Sequence, residues 1–222
     1  MKISRSLVVA GAAIVLLAGC ASETPAPIAD PPSVTPTATS TPEPVKPELT
    51  ELVLSPDGLN DVVVGDAPPA DDPELAIIVY DDDYCQSDFD AGNIESAGKW
   101  IPNYEPALSA PSSEPFSVYV RDDVVEQIAI DSTEIRTAEG VGLGSTRAEV
   151  LAAYPDAVLT DNKNTDLYVI TGEHGRLVFE IGADDQSEYP VDEVVFLRVL
   201  NLTDELFGWA NTDAGFAYCT NA

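Results

Sequence analysis

The first 48 residues of this chain cannot contribute to a globular core, so any fold must be built from about residue 49 onward. Lys2 and Arg5 precede an apolar run from Leu7 to Leu17, which is the pattern of a secretory signal peptide. Residues 20–48 then combine eight prolines with many Ser and Thr residues, and contain no aromatic residue or glycine. Such a composition cannot bury enough apolar surface to offset its chain entropy. We therefore predict a signal peptide over 1–19, a disordered tether over 20–48 and a folded extracytoplasmic domain over 49–222.

The signal ends in Leu17-Ala18-Gly19-Cys20, a segment that resembles the lipobox of bacterial lipoproteins. The resemblance implies cleavage before Cys20 and a diacylglycerol on the Cys20 thiol. It also implies an acylated anchor that holds the protein at the extracytoplasmic face of the cell membrane. The alternatives are an ordinary signal peptide or a membrane-spanning helix, but the apolar run is too short and wrongly flanked to span a membrane.

The chain is strongly acidic, with 39 Asp and Glu residues against 10 Lys and Arg residues and a net charge of −29. Loss of the signal peptide would remove Lys2 and Arg5 and lower this charge to −31. A field of this sign repels phosphate backbones and anionic lipid headgroups. We therefore expect no nucleic-acid partner, and membrane attachment only through the lipid on Cys20.

The three cysteines fit an exported protein. Cys20 is assigned to the anchor, which leaves Cys85 and Cys219. An even pair in oxidising surroundings favours a disulfide, so we predict a Cys85–Cys219 bridge. Zinc binding by the same thiols would need histidine partners, and His174 is the only histidine in the chain.

From Leu49 onward the sequence consists of short apolar runs separated by turns, which is typical of antiparallel strands. Short strands are expected at 52–54 and 62–64, around a turn, and a buried strand at 75–80. A hairpin is expected at 116–120 and 124–130, and a meander at 167–171, 176–181 and 194–200. The fold class is therefore α+β, an antiparallel sheet with one or two short helices packed on it. The domain is either a single unit or two degenerate repeats, 49–131 and 132–222. Residues 202–219 are expected to cover the sheet.

One helix is clearly signalled, at residues 146–154. Thr146 and Glu149 have the spacing of a capping box, and Pro155 ends the helix. Val150, Leu151 and Tyr154 form the apolar face that we expect to pack on the sheet.

This helix opening and the strands that follow it carry a second resemblance. Gly144-Ser145-Thr146, Glu149-Val150 and Tyr154-Pro155, with the three strands up to Leu200, resemble the helix-plus-antiparallel-meander repeat of the β-lactamase inhibitor protein and of small outer-membrane assembly lipoproteins. The resemblance implies a binding or assembly module without catalysis.

Motifs for covalent chemistry are incomplete. Ser96 and Lys99 match S-x-x-K, but the partner motifs of penicillin-recognising enzymes are missing. An acidic loop offers weak candidates for a hard cation such as calcium, but its spacing fails the EF-hand pattern; these candidates are Asp81, Asp82, Asp83, Asp88 and Asp90. We therefore predict no catalytic residue and no cofactor, and treat a solvated acidic loop as the default.

These observations favour a membrane-anchored lipoprotein that acts as a non-catalytic binding or assembly module for a protein or an envelope component. The alternatives are a divalent-cation-binding surface protein and, with less support, a cell-envelope hydrolase.

Overall fold

A computed structural model describes residues 44–94, 96–105, 114–183, 189–211 and 219. Within these residues the fold is mostly antiparallel β-sheet with only two short α-helices, so it is compatible with an α+β fold but is dominated by strands. The predictions for the signal peptide, for Cys20 and for the tether up to residue 43 lie outside the described residues, as do those for residues 212–218.

The largest element is a six-stranded antiparallel sheet in the order β6-β7-β12-β11-β10-β9. Its strands are β6 (Phe116–Arg121), β7 (Val124–Ile130), β9 (Val158–Asp161), β10 (Thr165–Thr171), β11 (Gly175–Gly182) and β12 (Val194–Asn201). The predicted hairpin and the predicted three-stranded meander are both present. Strand β9 was not predicted, and it lies at the end of the sheet.

Two smaller sheets complete the described fold. A four-stranded sheet joins β1 (Val53–Ser55), β2 (Gly58–Leu59), β3 (Val62–Val63) and β8 (Arg136–Thr137), and its β1–β8 pair is parallel. A hairpin pairs β4 (Ile78–Asp81) with β5 (Lys99–Pro102). The acidic stretch between β4 and β5 contains the one-turn helix α1 (Gln86–Asp90).

Both faces of the six-stranded sheet bury apolar side chains, because successive residues of a strand point to opposite faces. The first face carries the main core, which includes Ile128, Tyr168, Phe179 and Val199. The second face carries a smaller cluster, which we call the second-face cluster: Leu167, Val169, Val178 and Leu200, with Leu206 packed against it. All described residues belong to one compact unit, Glu43–Ala222. Within it, β6 and β7 from the first expected repeat share a sheet with the strands of the second.

Helix α2 (Arg147–Ala153) confirms the predicted capping box but corrects the predicted packing face. The Thr146 side chain accepts a hydrogen bond from the Glu149 N–H, and the Glu149 carboxylate accepts one from the Thr146 N–H at 2.7 Å. Val150 is fully buried and the Tyr154 ring lies 5.7 Å from that of Phe179. Leu151, however, is 39% exposed, so the prediction that it packs on the sheet is wrong. Adjacent residues of a helix lie about 100° apart around its axis. Helix α2 is rotated so that Val150 faces the core and Leu151 does not.

Candidate interaction site

The two edges of the six-stranded sheet differ in how they are covered. Strand β6 lies at one edge, and β5 of the neighbouring hairpin approaches it. Strand β9 lies at the other edge and, among the described residues, pairs only with β10. An edge strand presents unpaired N–H and C=O groups, which form a template for pairing with another chain. The β9 edge is therefore the strongest candidate for a recognition site in the described fold.

The ladder on β10 determines which β9 backbone groups face outward. The Gly172 N–H donates to the Gly175 carbonyl at 2.8 Å, so Gly172 belongs to a hydrogen-bonded pair with β11. Every second residue of an antiparallel strand bonds to the same neighbour, so the N–H and C=O groups of Tyr168, four residues earlier, also bond to β11. The backbone N–H and C=O groups of Val169 therefore point away from β11, toward Val158 of β9. It follows that Leu159, opposite Tyr168, directs its own N–H and C=O away from the sheet. Within the described part of the chain, neither group of Leu159 has a hydrogen-bond partner.

The first two side chains of β9 are apolar, and one is exposed on each face of the sheet. Val158 is 63% exposed and lies beside Val169 of the second-face cluster. Leu159 is 51% exposed and lies beside Tyr168 on the first face. A strand added next to β9 would therefore meet apolar side chains above and below the plane of the sheet.

Arg147, the first residue of α2, fixes the sheet next to this edge. Its guanidinium donates to Asp192 at 2.7 Å, to Asp166 at 2.5 Å and to the Tyr168 hydroxyl at 2.7 Å. Loss of water lowers the pKa of Arg147, but the hydrogen bonds to Asp192, Tyr168 and Asp166 outweigh this effect and raise it. Asp166 and Tyr168 belong to β10, so the cluster holds the strand on which β9 lies.

On the second face, a buried ion pair holds the C-terminal segment against the sheet. The side chains of Glu180 and Arg198 are each only 1% exposed, and their closest charged atoms lie 3.4 Å apart. The Glu180 carboxylate also accepts hydrogen bonds from the Trp209 N–H at 2.8 Å and the Ala210 N–H at 2.9 Å. Arg198 donates to the Phe207 carbonyl, and its guanidinium lies 4.6 Å from the Trp209 ring centroid. Residues 207–210 are thereby fixed over this face.

A group of titratable side chains lies close to the start of β6. The Tyr84 hydroxyl donates to Glu114 at 2.7 Å, and the Lys99 ammonium lies 5.4 Å from the Tyr84 ring centroid. Burial lowers the pKa of Lys99, against the opposing effect of Glu114. Burial, with a smaller contribution from the charge on Glu114, raises the pKa of Asp131 to about 6. Since Tyr84 precedes Cys85, this group holds the cysteine-bearing segment near β6.

The predicted site residues are distributed as follows. The Sγ atoms of Cys85 and Cys219 lie 2.02 Å apart, and Cys85 is buried. The five acidic candidates for a cation lie at the end of β4, in the following turn and on α1; among them, Asp88 accepts from Asn93, and Asp90 accepts from Gln86 at 2.7 Å. Nowhere in the described ranges do three or more His, Cys, Asp or Glu residues form a metal-binding group.

Comparison with known proteins adds no relative. No protein-family model, no curated protein and no solved structure matches the chain. Among the described residues, no helix is both long and apolar enough to cross a membrane.

Proposed function

We infer that this protein is a lipid-anchored module at the extracytoplasmic face of the cell membrane, and that it binds a protein partner without covalent chemistry. The observation that carries this inference is the β9 edge, where the Leu159 N–H and C=O face outward between two exposed apolar side chains. Addition of a strand to an open sheet edge is a recurrent mode of peptide recognition. Main-chain hydrogen bonds supply affinity, and side chains on alternate faces supply specificity.

The composition of β9 supports this inference. Natural edge strands are commonly protected by lysine, proline or a bulge. Residues 158–161 contain no lysine or proline, and their pairing with β10 is continuous over four residues. β9 is only four residues long and ends in Asp161, but it lacks the lysine, proline and bulge that protect other edge strands.

The resemblance to the helix-plus-meander repeat belongs to the same proposal. It is supported by the chain order, in which α2 is followed by four strands in an antiparallel meander, β9 to β12. In this view the protein is an α+β binding or assembly module.

The binding test exploits the direction of the Leu159 N–H. Leu159→Pro removes this outward donor but spares the β10 ladder, because proline is tolerated where the N–H of an edge strand faces solvent. The matched control is Leu159→Ala, which shortens the side chain and keeps the donor. We expect Leu159→Pro to reduce capture of the partner from envelope extracts by at least about tenfold, through a lost bond and a steric clash. Equal capture by wild type and Leu159→Pro would contradict binding at this edge.

The anchor is tested separately. Cys20→Ser removes the acceptor of the lipid, and durable membrane attachment requires the acyl chains. We expect the variant to leave the membrane fraction with a changed apparent mass. A variant that stays membrane-bound at unchanged mass would show that Cys20 is not lipidated.

A further inference from the structure

We propose that the segment received by β9 is an extended, apolar stretch flanked by basic residues of a second protein. This inference rests on the proposed function and specifies the chemistry of the partner at the same site. It follows from the charge around β9 and from the apolar surface that β9 extends.

The charge around β9 favours a cationic partner. From Pro155 through Asp166 the chain carries three aspartates and a single cation, Lys163. Asp156 is exposed and lies two residues before β9, and the last residue of β9 is also an aspartate, Asp161. Asp166 is paired with Arg147 and is therefore not counted toward the charge offered to a partner. Lysine or arginine residues at the two ends of an incoming segment would complement the negative charge that the sequence places on either side of Val158 and Leu159.

The same charge argues against a second copy of this chain as the occupant. Pairing of two β9 edges would bring together two chains that each carry a net charge of −29. Like charges across an interface oppose association, whereas complementary charges speed the encounter and determine the register.

The apolar part of the segment follows from the second-face cluster. Val158 extends this cluster to the edge of the sheet, where it is 63% exposed. Side chains of an added strand alternate between faces, so its apolar residues on one face would continue the row that Val169 and Val158 begin. Its residue opposite Leu159 would lie on the first face.

The experiment uses the full-length chain in its native host, with p-benzoylphenylalanine in place of Leu159 as a photo-cross-linker. After irradiation, the cross-linked peptide is sequenced by mass spectrometry. We expect an apolar segment of another protein with Lys or Arg on both sides. Cross-linking in envelope extracts should fall at least about tenfold as salt rises from about 0.01 M to about 1 M, because the screening length shrinks from about 30 Å to about 3 Å.

Two matched variants separate the local charge from the total charge. Asp156→Lys should lower the cross-linking yield about three- to tenfold, as expected for a reversed charge at the rim of a site. Asp82→Lys makes the same change at an exposed position between β4 and α1, outside the six-stranded sheet, and should leave the yield unchanged.

The outcomes separate the two proposals. A salt-insensitive cross-link to a neutral or acidic segment of another protein would overturn the basic chemistry and leave strand addition in place. A cross-link to a second copy, or to residues 212–222 of the same chain, would overturn this inference by identifying another occupant. No cross-link at 159, together with undiminished capture by Leu159→Pro, would overturn the proposed function as well.

Discussion

Replacement of Glu180 by alanine should strongly destabilise this fold. The Glu180 carboxylate is the common acceptor for four donors: Arg198 at 3.4 Å, the Thr165 hydroxyl at 2.8 Å, and the N–H groups of Trp209 and Ala210. Both charged side chains are 1% exposed, so water cannot replace the lost carboxylate without opening the structure. Burial already lowers the pKa of Arg198 to about 10 although its counterion is present. Removal of Glu180 would leave that guanidinium buried and unpaired.

The expected magnitude follows from these contacts. Breaking a buried ion pair by removal of one partner costs about 3–5 kcal/mol. Two backbone donors lose their acceptor in addition, so we expect a loss of at least about 4 kcal/mol, against a total of roughly 5–15 kcal/mol for a typical domain. The measurement is equilibrium urea unfolding of the oxidised chain that starts at residue 20 and carries Cys20→Ser. Thr165→Val removes a neutral hydroxyl that donates to Glu180 and accepts from the Asn162 amide at 3.1 Å, and it should cost only about 1–2 kcal/mol.

A second variant tests whether the pair or the packing is responsible. Glu180→Leu combined with Arg198→Met replaces both charges by apolar groups and should recover the part of the loss that comes from the unpaired guanidinium, since such exchanges are often neutral or stabilising. The part that comes from the Trp209 and Ala210 N–H groups should remain, because leucine offers them no acceptor. A Glu180→Ala variant within about 1 kcal/mol of wild type would refute the reasoning. It would mean that the segment around Trp209 separates easily from the second face of the sheet, so that water reaches Arg198 in the folded variant.

Three further outcomes are expected. Val150→Ala should cost about 1.5–3 kcal/mol in urea melts because it leaves a cavity, whereas Leu151→Ala should stay within about 0.5 kcal/mol; equal effects would contradict the observed helix rotation. Non-reducing peptide mapping should find Cys85 and Cys219 in one linked peptide, and labelling of both as free thiols would refute the bridge. Asp131→Asn should gain stability relative to wild type as pH rises from about 4 to about 7. The raised pKa of Asp131 makes its ionisation unfavourable in the folded state, so wild type loses stability between the pKa of Asp131 in the unfolded chain and its folded pKa of about 6. Asp131 retains solvent exposure, so this gain should be modest, and its absence would contradict the raised pKa.

The elements that could be predicted from sequence are those with a local signature. The hairpin at 116–130 alternates around an Arg-Asp-Asp turn, and the Thr146–Glu149 capping box depends only on neighbouring residues. Strand β9 has no such signature, because an edge strand exposed on both faces shows neither alternation nor an apolar run. Its four residues Val-Leu-Thr-Asp are strand-forming only beside β10. The candidate site was therefore missed, since it depends on sheet order rather than on local pattern.

The burial of Glu180 and Arg198 could not be predicted from the sequence, for a related reason. In β11 and β12 these residues alternate with the apolar side chains of the first face, which is the usual pattern of a sheet with one solvent-exposed face. Whether the second face is exposed to solvent depends on the segment around Trp209, which lies nearly thirty residues after Glu180 in the chain. Alternation indicates which residues share a face, but it does not indicate what covers that face.

The way the sheet is covered bears on the role of β9. The first face is covered by the main core, the β6 edge is approached by β5, and the second face is crossed by a segment held through a buried ion pair. Each of these covers removes polar or apolar groups from water, which a fold of marginal stability requires. At β9 the described chain leaves both kinds of group exposed together, an outward backbone donor and two apolar side chains. This exposure contributes nothing to the stability of the folded chain itself. Binding to a second chain is the process in which these groups would become paired and buried.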